Sequence, residues 1–267
     1  MQKYERARFA DAVSLRLLFK RGSDVVHTDF EHYMLALRRA SEPGTIAYFD
    51  LDRTLIAGYS VMAFAWERMR TGSVPLRRVL SSAGALLGYG LGRADYHYLL
   101  TTTVRDLAGE TEQALAILGQ RAFEQRVQGW IYAEARALID AHRLVGHHIV
   151  IVTSATRYQA APIARGLGVE DLCCTELEIV EGQITGKALP CFGVGKLSAA
   201  EHLAQQRRTD LSRAYFYSDS SDDLPLLEAV GRPVVVNPKL AMARLARSRG
   251  WPCLVFAPPS DLGTAAA

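Results

Sequence analysis

Apolar and polar positions along this chain change period several times, and the changes predict its elements. Residues 45–51 form a short continuous apolar run, preceded by the turn signal Ser41-Glu42-Pro43-Gly44 and closed by acids, which predicts a buried strand. Residues 1–44 read as a helical preamble. From about 59 to 128 the spacing is helical, with no convincing strand. A helix follows over 131–144, ended by Val145-Gly146, then a strand over 148–153 and a helix over 157–167 stopped by Gly168. Residues 172–180 predict another strand, with Glu181-Gly182-Gln183 as a hairpin turn. Helices over 196–207, 224–230 and 240–249 alternate with strands over 214–218 and 233–237, and 253–256 reads as an edge strand.

Strands alternating with helices predict an α/β fold, a mostly parallel sheet with helices on both faces. The long helical stretch after the first strand predicts an inserted all-helical cap over the C-terminal edge of that sheet, where ligands bind in such folds. The expected division is an N-terminal helical extension (1–44), a core (45–58 and 130–267) and a cap (59–129).

Composition narrows the function classes. With 49% hydrophobic and 22% charged residues among 267, the chain has the make-up of a globular protein with a sizeable core. A formal charge of +3 without a basic block gives no footprint for nucleic acid. The amino-terminal stretch is charged throughout and lacks a signal-like apolar region. The longest uncharged run, 79–92, is too short to span a bilayer and reads as a buried or interfacial helix. None of the four cysteines has C-x-x-C spacing. Reduced thiols and a cytoplasmic location are therefore expected.

The candidate chemistry lies at strand ends and helix starts. Asp50 and Asp52 follow the first strand, with Thr54 two residues further on. Carboxylates this close repel unless a cation or a shared proton offsets them. Thr153-Ser154 ends the next strand, Lys196 opens a helix, and Ser218 through Asp223, with acids at Asp219, Asp222 and Asp223, follows the strand over 214–218. Singly these features also read as helix caps, dipole partners or a surface lysine. Together, in this order, they suit phosphoryl transfer. An anionic carboxylate attacks phosphorus, a divalent metal offsets the repulsion, hydroxyls and a lysine hold the phosphoryl oxygens, and a second carboxylate moves the proton. Magnesium takes hard oxygen ligands, and Asp50 and Asp219 supply them.

On these motifs, over about residues 47–238, the chain resembles the haloacid dehalogenase-like hydrolase superfamily. Its inserted helical cap places it with the type IB, C1-capped members similar to phosphoserine phosphatases. The resemblance implies a Rossmann-like core and a magnesium-dependent phosphomonoesterase working through an aspartyl-phosphate on a small phosphorylated metabolite. It implies Asp50 as nucleophile and Asp52 as acid/base. Thr153, Ser154 and Lys196 would bind phosphate. Asp50, Asp219 and the backbone carbonyl of Asp52 would hold Mg2+, with Thr54, Asp222 and Asp223 in support.

Two departures bear on the substrate. Arg53 stands where the family has glycine, adding a charge beside the entrance. Tyr59 stands where phosphoserine phosphatases place the glutamate that meets the substrate amine, the next acid being Glu67. Phosphoserine is therefore not the expected substrate. Arg53, Tyr59, Ser60 and Arg157 are the candidates for specificity, whereas Arg68, Arg70, Arg77, Arg78, Arg93 and His97 read as solvated helix faces. A phospholipid intermediate such as lysophosphatidate, a phosphotransferase reaction and a non-catalytic phospholigand module are the alternative readings.

Overall fold

The computed structural model describes residues 28–39, 42–72 and 96–259. The expectations for 1–27 and for the uncharged run 79–92, and those for Arg77, Arg78 and Arg93, lie outside the described residues, as does the His97 side chain.

Helix α1 (Phe30–Arg39) precedes strand β1 (Ile46–Phe49). Among the described residues three helices follow: α2 (Ser60–Arg70), α3 (Tyr96–Arg105) and α4 (Glu112–Gln125). The chain then runs α5 (Ala133–Leu144), β2 (His148–Thr156), α6 (Arg157–Gly166), β3 (Asp171–Val180), β4 (Gln183–Leu189), α7 (Val194–Gln206), β5 (Tyr215–Ser218), α8 (Leu224–Ala229), β6 (Arg232–Val236), α9 (Leu240–Arg249) and β7 (Cys253–Leu254). One sheet of order β4-β3-β2-β1-β5-β6-β7 results. It is parallel except for β4, which returns antiparallel along β3. The fold is a Rossmann-like α/β sheet with an all-helical cap inserted after the first strand.

Burial explains the apolar runs. The strand β1 is buried on both faces because successive side chains enter different layers. Ala47 and Phe49 join the core beneath α1, α5 and α6, while Ile46 and Tyr48 join the one beneath α7, α8 and α9. In the first layer several buried polar groups meet one another. The hydroxyls of Tyr33 and Tyr217 lie 2.7 Å apart, and Tyr217 also meets His142 Nε2 at 2.7 Å. His142 Nδ1 lies 2.7 Å from His147 Nδ1. Burial, with the charge of His147, pushes His142 well below the usual histidine range, and burial with the charge of Arg232 brings His147 down to about 4. These imidazoles are neutral structural groups packed against Phe49 and Tyr215.

Among the described residues the cap is fastened to the core in several places. Its entry and exit segments run side by side, with Ala57 N donating to Trp130 O at 2.8 Å and Tyr132 N to Leu55 O at 3.1 Å. This pairing keeps Ile131 and Tyr132 extended, so α5 begins at Ala133 rather than at 131. Residues 109–112 are also hydrogen-bonded onto β4, through Gly109 N to Ile184 O and Ile184 N to Glu110 O, each at 2.9 Å. These bonds cover part of an otherwise open sheet edge. Helix α4 sits directly on α6: a Cβ at Gly119 would lie 1.8 Å from the Tyr158 carbonyl oxygen, so only glycine allows that approach.

The strand order reverses between β1 and β5. Chain order runs outward through β2 and β3 on one side and through β6 and β7 on the other. The crevice beyond the strand ends at such a switch point is where ligands bind in open α/β sheets.

Candidate active site

Asp50 follows β1 and Asp219 follows β5, so the two acids flank the switch point. Their strands are in register, Phe49 opposite Tyr217, and Asp50 N donates to Tyr217 O at 2.9 Å. The Asp50 carboxylate is buried. Its Oδ1 lies 2.6 Å from Lys196 Nζ, and its Oδ2 accepts from Thr54 Oγ1 at 3.3 Å. Lys196 enters from the first turn of α7, only 3% exposed, and also meets Asp223 Oδ1 at 2.8 Å. Ser218 Oγ donates to Asp223 Oδ2 at 2.6 Å, fixing that acid behind the lysine. Asp222 is exposed, and its backbone N–H is capped by Ser220.

Asp52 is held differently. Ser60, the first residue of α2, gives it both a backbone N–H at 2.7 Å and a hydroxyl at 3.2 Å. A carboxylate at a helix N-terminus is favoured by the helix dipole. Asp52 therefore tethers the cap's first helix to the core. The backbone directly after Asp52 turns through Arg53, which adopts a left-handed φ of 62°. Its Nε donates to Asp219 Oδ2 at 2.8 Å, and its guanidinium is also hydrogen-bonded to Tyr59.

The electrostatics follow from counting charges. Asp50, Asp52, Asp219 and Asp223 face two cations, Lys196 and Arg53. Burial pushes Asp52 up to about 7, with the charge of Asp50 adding to it and the Ser60 bonds opposing. Burial likewise pushes Asp219 up to about 6, against the pull of Arg53. Asp50 is raised by burial against the pull of Lys196, and Lys196 is itself raised by its two acids. With two cations facing four acids, the cluster is short of positive charge.

Thr153 is buried within β2, where its Oγ1 accepts from Ala155 N at 3.1 Å. Ser154 lines a cavity of about 130 Å3 that opens from Asp52 toward the cap. The far wall is apolar: Val61, Phe64 and Ala65 from α2, with Leu100, Val104 and Leu107 from the α3 region. Arg68 is the cation on this wall, and its terminal nitrogen lies 3.3 Å from both Asp106 O and Glu110 Oε1. Asp52 is the one acid among the lining residues. Glu67 is buried and turned away from the cavity, held by Arg70 at 2.7 and 2.9 Å. Arg157 reaches Glu176 on β3, with its Nε 2.9 Å from Oε2. Tyr59 is exposed beside Arg53.

The structure thus joins Asp50, Thr54, Lys196 and Asp223 into one hydrogen-bonded cluster, with Asp219 held separately by Arg53, and Asp52 and Ser154 at the cavity. It places Arg157 and Asp222 outside it. Ser60 as the partner of Asp52, Ser218 as the partner of Asp223, and Arg68 and Gln159 as lining residues were not legible from sequence. A serine at the first helical position after the acids is the one local signal that was available.

Comparison with known proteins gives the same picture. The sequence profile described as haloacid dehalogenase-like hydrolase matches residues 47–228. A "probable phosphatase" of Mycobacterium tuberculosis is 36% identical over 223 residues, covering 82% of this chain and 77% of that protein. A phosphoserine phosphatase of the same organism is 31% identical over 218 residues, covering 77% of this chain and 68% of that one. Among solved structures, a protein of unknown function from Bordetella pertussis superposes with a TM-score of 0.72 at 28% identity, covering 80% of this chain and 99% of that one.

Proposed function

This chain belongs to the haloacid dehalogenase-like hydrolase family, and from that premise and the geometry of its strand-end acids we propose that it is a magnesium-dependent phosphomonoesterase. We assign the chemistry to the core, 45–58 and 130–267, and substrate selection to the cap, 59–129, with 1–44 as an extension.

The observation that carries this reading is a pair of neighbouring carboxylates with different partners. Asp50 meets the Lys196 ammonium at 2.6 Å, a charge that favours the anion a nucleophile requires, against the upward push of burial. Asp52 is pushed up to about 7, where a group both gives and takes protons near neutrality. An Asp50 oxygen attacks phosphorus, and the bond from phosphorus to the leaving alcohol breaks as Asp52 protonates the alkoxide. Asp52 then takes a proton from water, the water oxygen attacks the aspartyl-phosphate, and inorganic phosphate leaves with Asp50 restored. Ser60 aims Asp52 at the cleft. Lys196, Thr153 and Ser154 hold the phosphoryl oxygens. Asp223, steadied by Ser218, holds Lys196.

The acids fit a hard divalent cation, because they outnumber their cations and are raised by burial. Among the described residues no three histidine, cysteine or acidic side chains could hold a metal by themselves. Magnesium commonly takes one or two carboxylates and keeps water. Asp50, Asp219 and the Asp52 carbonyl would hold it. When bound it offsets the charge between nucleophile and phosphate and polarises the phosphoryl group.

The cavity wall supports a small phosphomonoester whose alcohol is neutral. Among the described residues a substrate ammonium would meet no acid there other than Asp52, and burying an unpaired ammonium is costly. The test is phosphate release from a panel of phosphomonoesters, with magnesium and with EDTA. Release that needs magnesium, and a kcat/KM for glycerol phosphate above that for phosphoserine, is expected. Full activity in EDTA contradicts the metal, and a tenfold preference for phosphoserine contradicts the substrate class.

A further inference from the structure

Arg53 is an unusual residue in an unusual conformation. Its φ of 62° lies in the left-handed region, which a side chain with a Cβ adopts at a cost. Neighbouring bonds hold it there: Arg53 N donates to Gly58 O at 3.2 Å, and Asn237 Nδ2 donates to Arg53 O at 3.3 Å. The turn aims the side chain back across the crevice. Its Nε takes Asp219 Oδ2 at 2.8 Å, while Tyr59 holds the guanidinium from the entrance side. The Asp219 side chain is about one-tenth exposed and that of Arg53 about one-third. One oxygen of a largely buried carboxylate at the switch point is thus occupied by a partly exposed cation.

We propose that Arg53 is a tethered counter-cation that competes with the divalent metal for Asp219, so that metal entry requires the guanidinium to leave. The proposal rests on the metal-site reading above. A carboxylate oxygen that donates its lone pairs to a guanidinium in a charge-assisted bond is not free to ligate a metal in the same direction. A small hard cation and a planar guanidinium satisfy the same charge deficit by different geometries. Arg53 keeps the acids partly compensated without metal and raises the metal concentration needed to fill the site. Glycine at this position would ease the backbone but leave Asp219 uncompensated.

The test is calorimetric titration of Mg2+ into the full chain without substrate, for wild type, Arg53→Asn, Arg53→Gly and Arg53→Lys. Asparagine tolerates the left-handed region and removes the charge, which separates competition from backbone relief. Asparagine and glycine variants are expected to bind magnesium about tenfold more tightly than wild type, the scale of one charge-assisted hydrogen bond, with lysine between. Equal affinities, weaker binding by the variants, or tightening by glycine alone would each overturn the proposal. Absence of magnesium binding by all four proteins would remove the metal-site reading, and the competition with it. A measurement on wild type needs no variant: the Arg53 Nε–H resonance is expected to shift when magnesium is added, and an unmoved resonance at saturating metal contradicts displacement.

Discussion

Asp50 at the end of β1 and Glu67 on the cap helix α2 are both buried carboxylates with a cation beside them. Burial nevertheless pushes Asp50 up from the ordinary carboxylate range, while Arg70 holds Glu67 below it. Depth and partners both differ: burial is the largest influence on Asp50, whereas the Arg70 bonds outweigh it at Glu67. Glu67 has a guanidinium three residues along its own helix, meeting both of its oxygens. The strand-end acids share two cations among four, and these come from elements distant in sequence. The cap's charges are closed on themselves, whereas the core's site is held open for more positive charge. Catalytic groups are tuned by such incomplete compensation, which costs the fold stability.

Removing the nucleophile tests the open region most severely. Asp50→Asn is expected to lower turnover by about a thousandfold or more, because the amide is nearly isosteric but does not attack phosphorus. A variant that retains a tenth of wild-type activity, without deamidation to aspartate, would break the distinction. Lys196→Met comes next. It leaves Asp50 and Asp223 facing each other without their cation, and a loss of about 3–5 kcal/mol in denaturant unfolding is expected. An unchanged midpoint would mean that the two acids are protonated rather than paired.

Asp52→Asn should act in the opposite sense on stability. Asp52 sits at about 7 in the fold, above its unfolded value, so between those values the folded state holds the extra proton. Stability therefore falls as pH rises toward 7, and the full penalty is present above it. In chelator at pH 8 the asparagine variant is expected to be more stable than wild type by on the order of 1–3 kcal/mol, and at pH 4 the two should coincide. A variant less stable at pH 8 would show that the Ser60 bonds to the anion outweigh burial.

The smallest effect belongs to the cap. Glu67→Gln removes a lowered carboxylate, whose contribution is present above its unfolded value and lost as pH falls through the folded one. The Arg70 it meets is mostly exposed, so only a slight loss of stability near neutrality is expected, disappearing toward pH 3. A loss as large as that of Lys196→Met would erase the contrast between the two regions.

The core was legible in sequence because each chemical residue ends an apolar strand or begins a helix, where one-dimensional patterns are strongest. Asp50 after β1, Asp219 after β5 and Lys196 in the first turn of α7 were visible for that reason. The contacts between elements were not. Arg53 meets Asp219 across 166 positions, and residues 109–112 meet β4 through backbone groups that carry no sequence signal. Strand β2 extends through Thr156, beyond the apolar run ending at 152, because Thr153, Ser154 and Thr156 continue it with polar side chains and Ala155 alone is too weak a mark. Arg68 read as a solvated arginine but lies largely buried on the cavity wall, since one-sided burial depends on which helix faces it.

The most direct test of the account is to find the phosphoryl group on the protein. A single turnover with magnesium and a reactive aryl phosphate, quenched in acid within milliseconds and digested, is predicted to give a peptide with one added phosphoryl group at Asp50, absent in Asp50→Asn. Phosphate released with the protein unlabelled throughout the turnover, or a label on another residue, would contradict the assignment of Asp50 as the nucleophile.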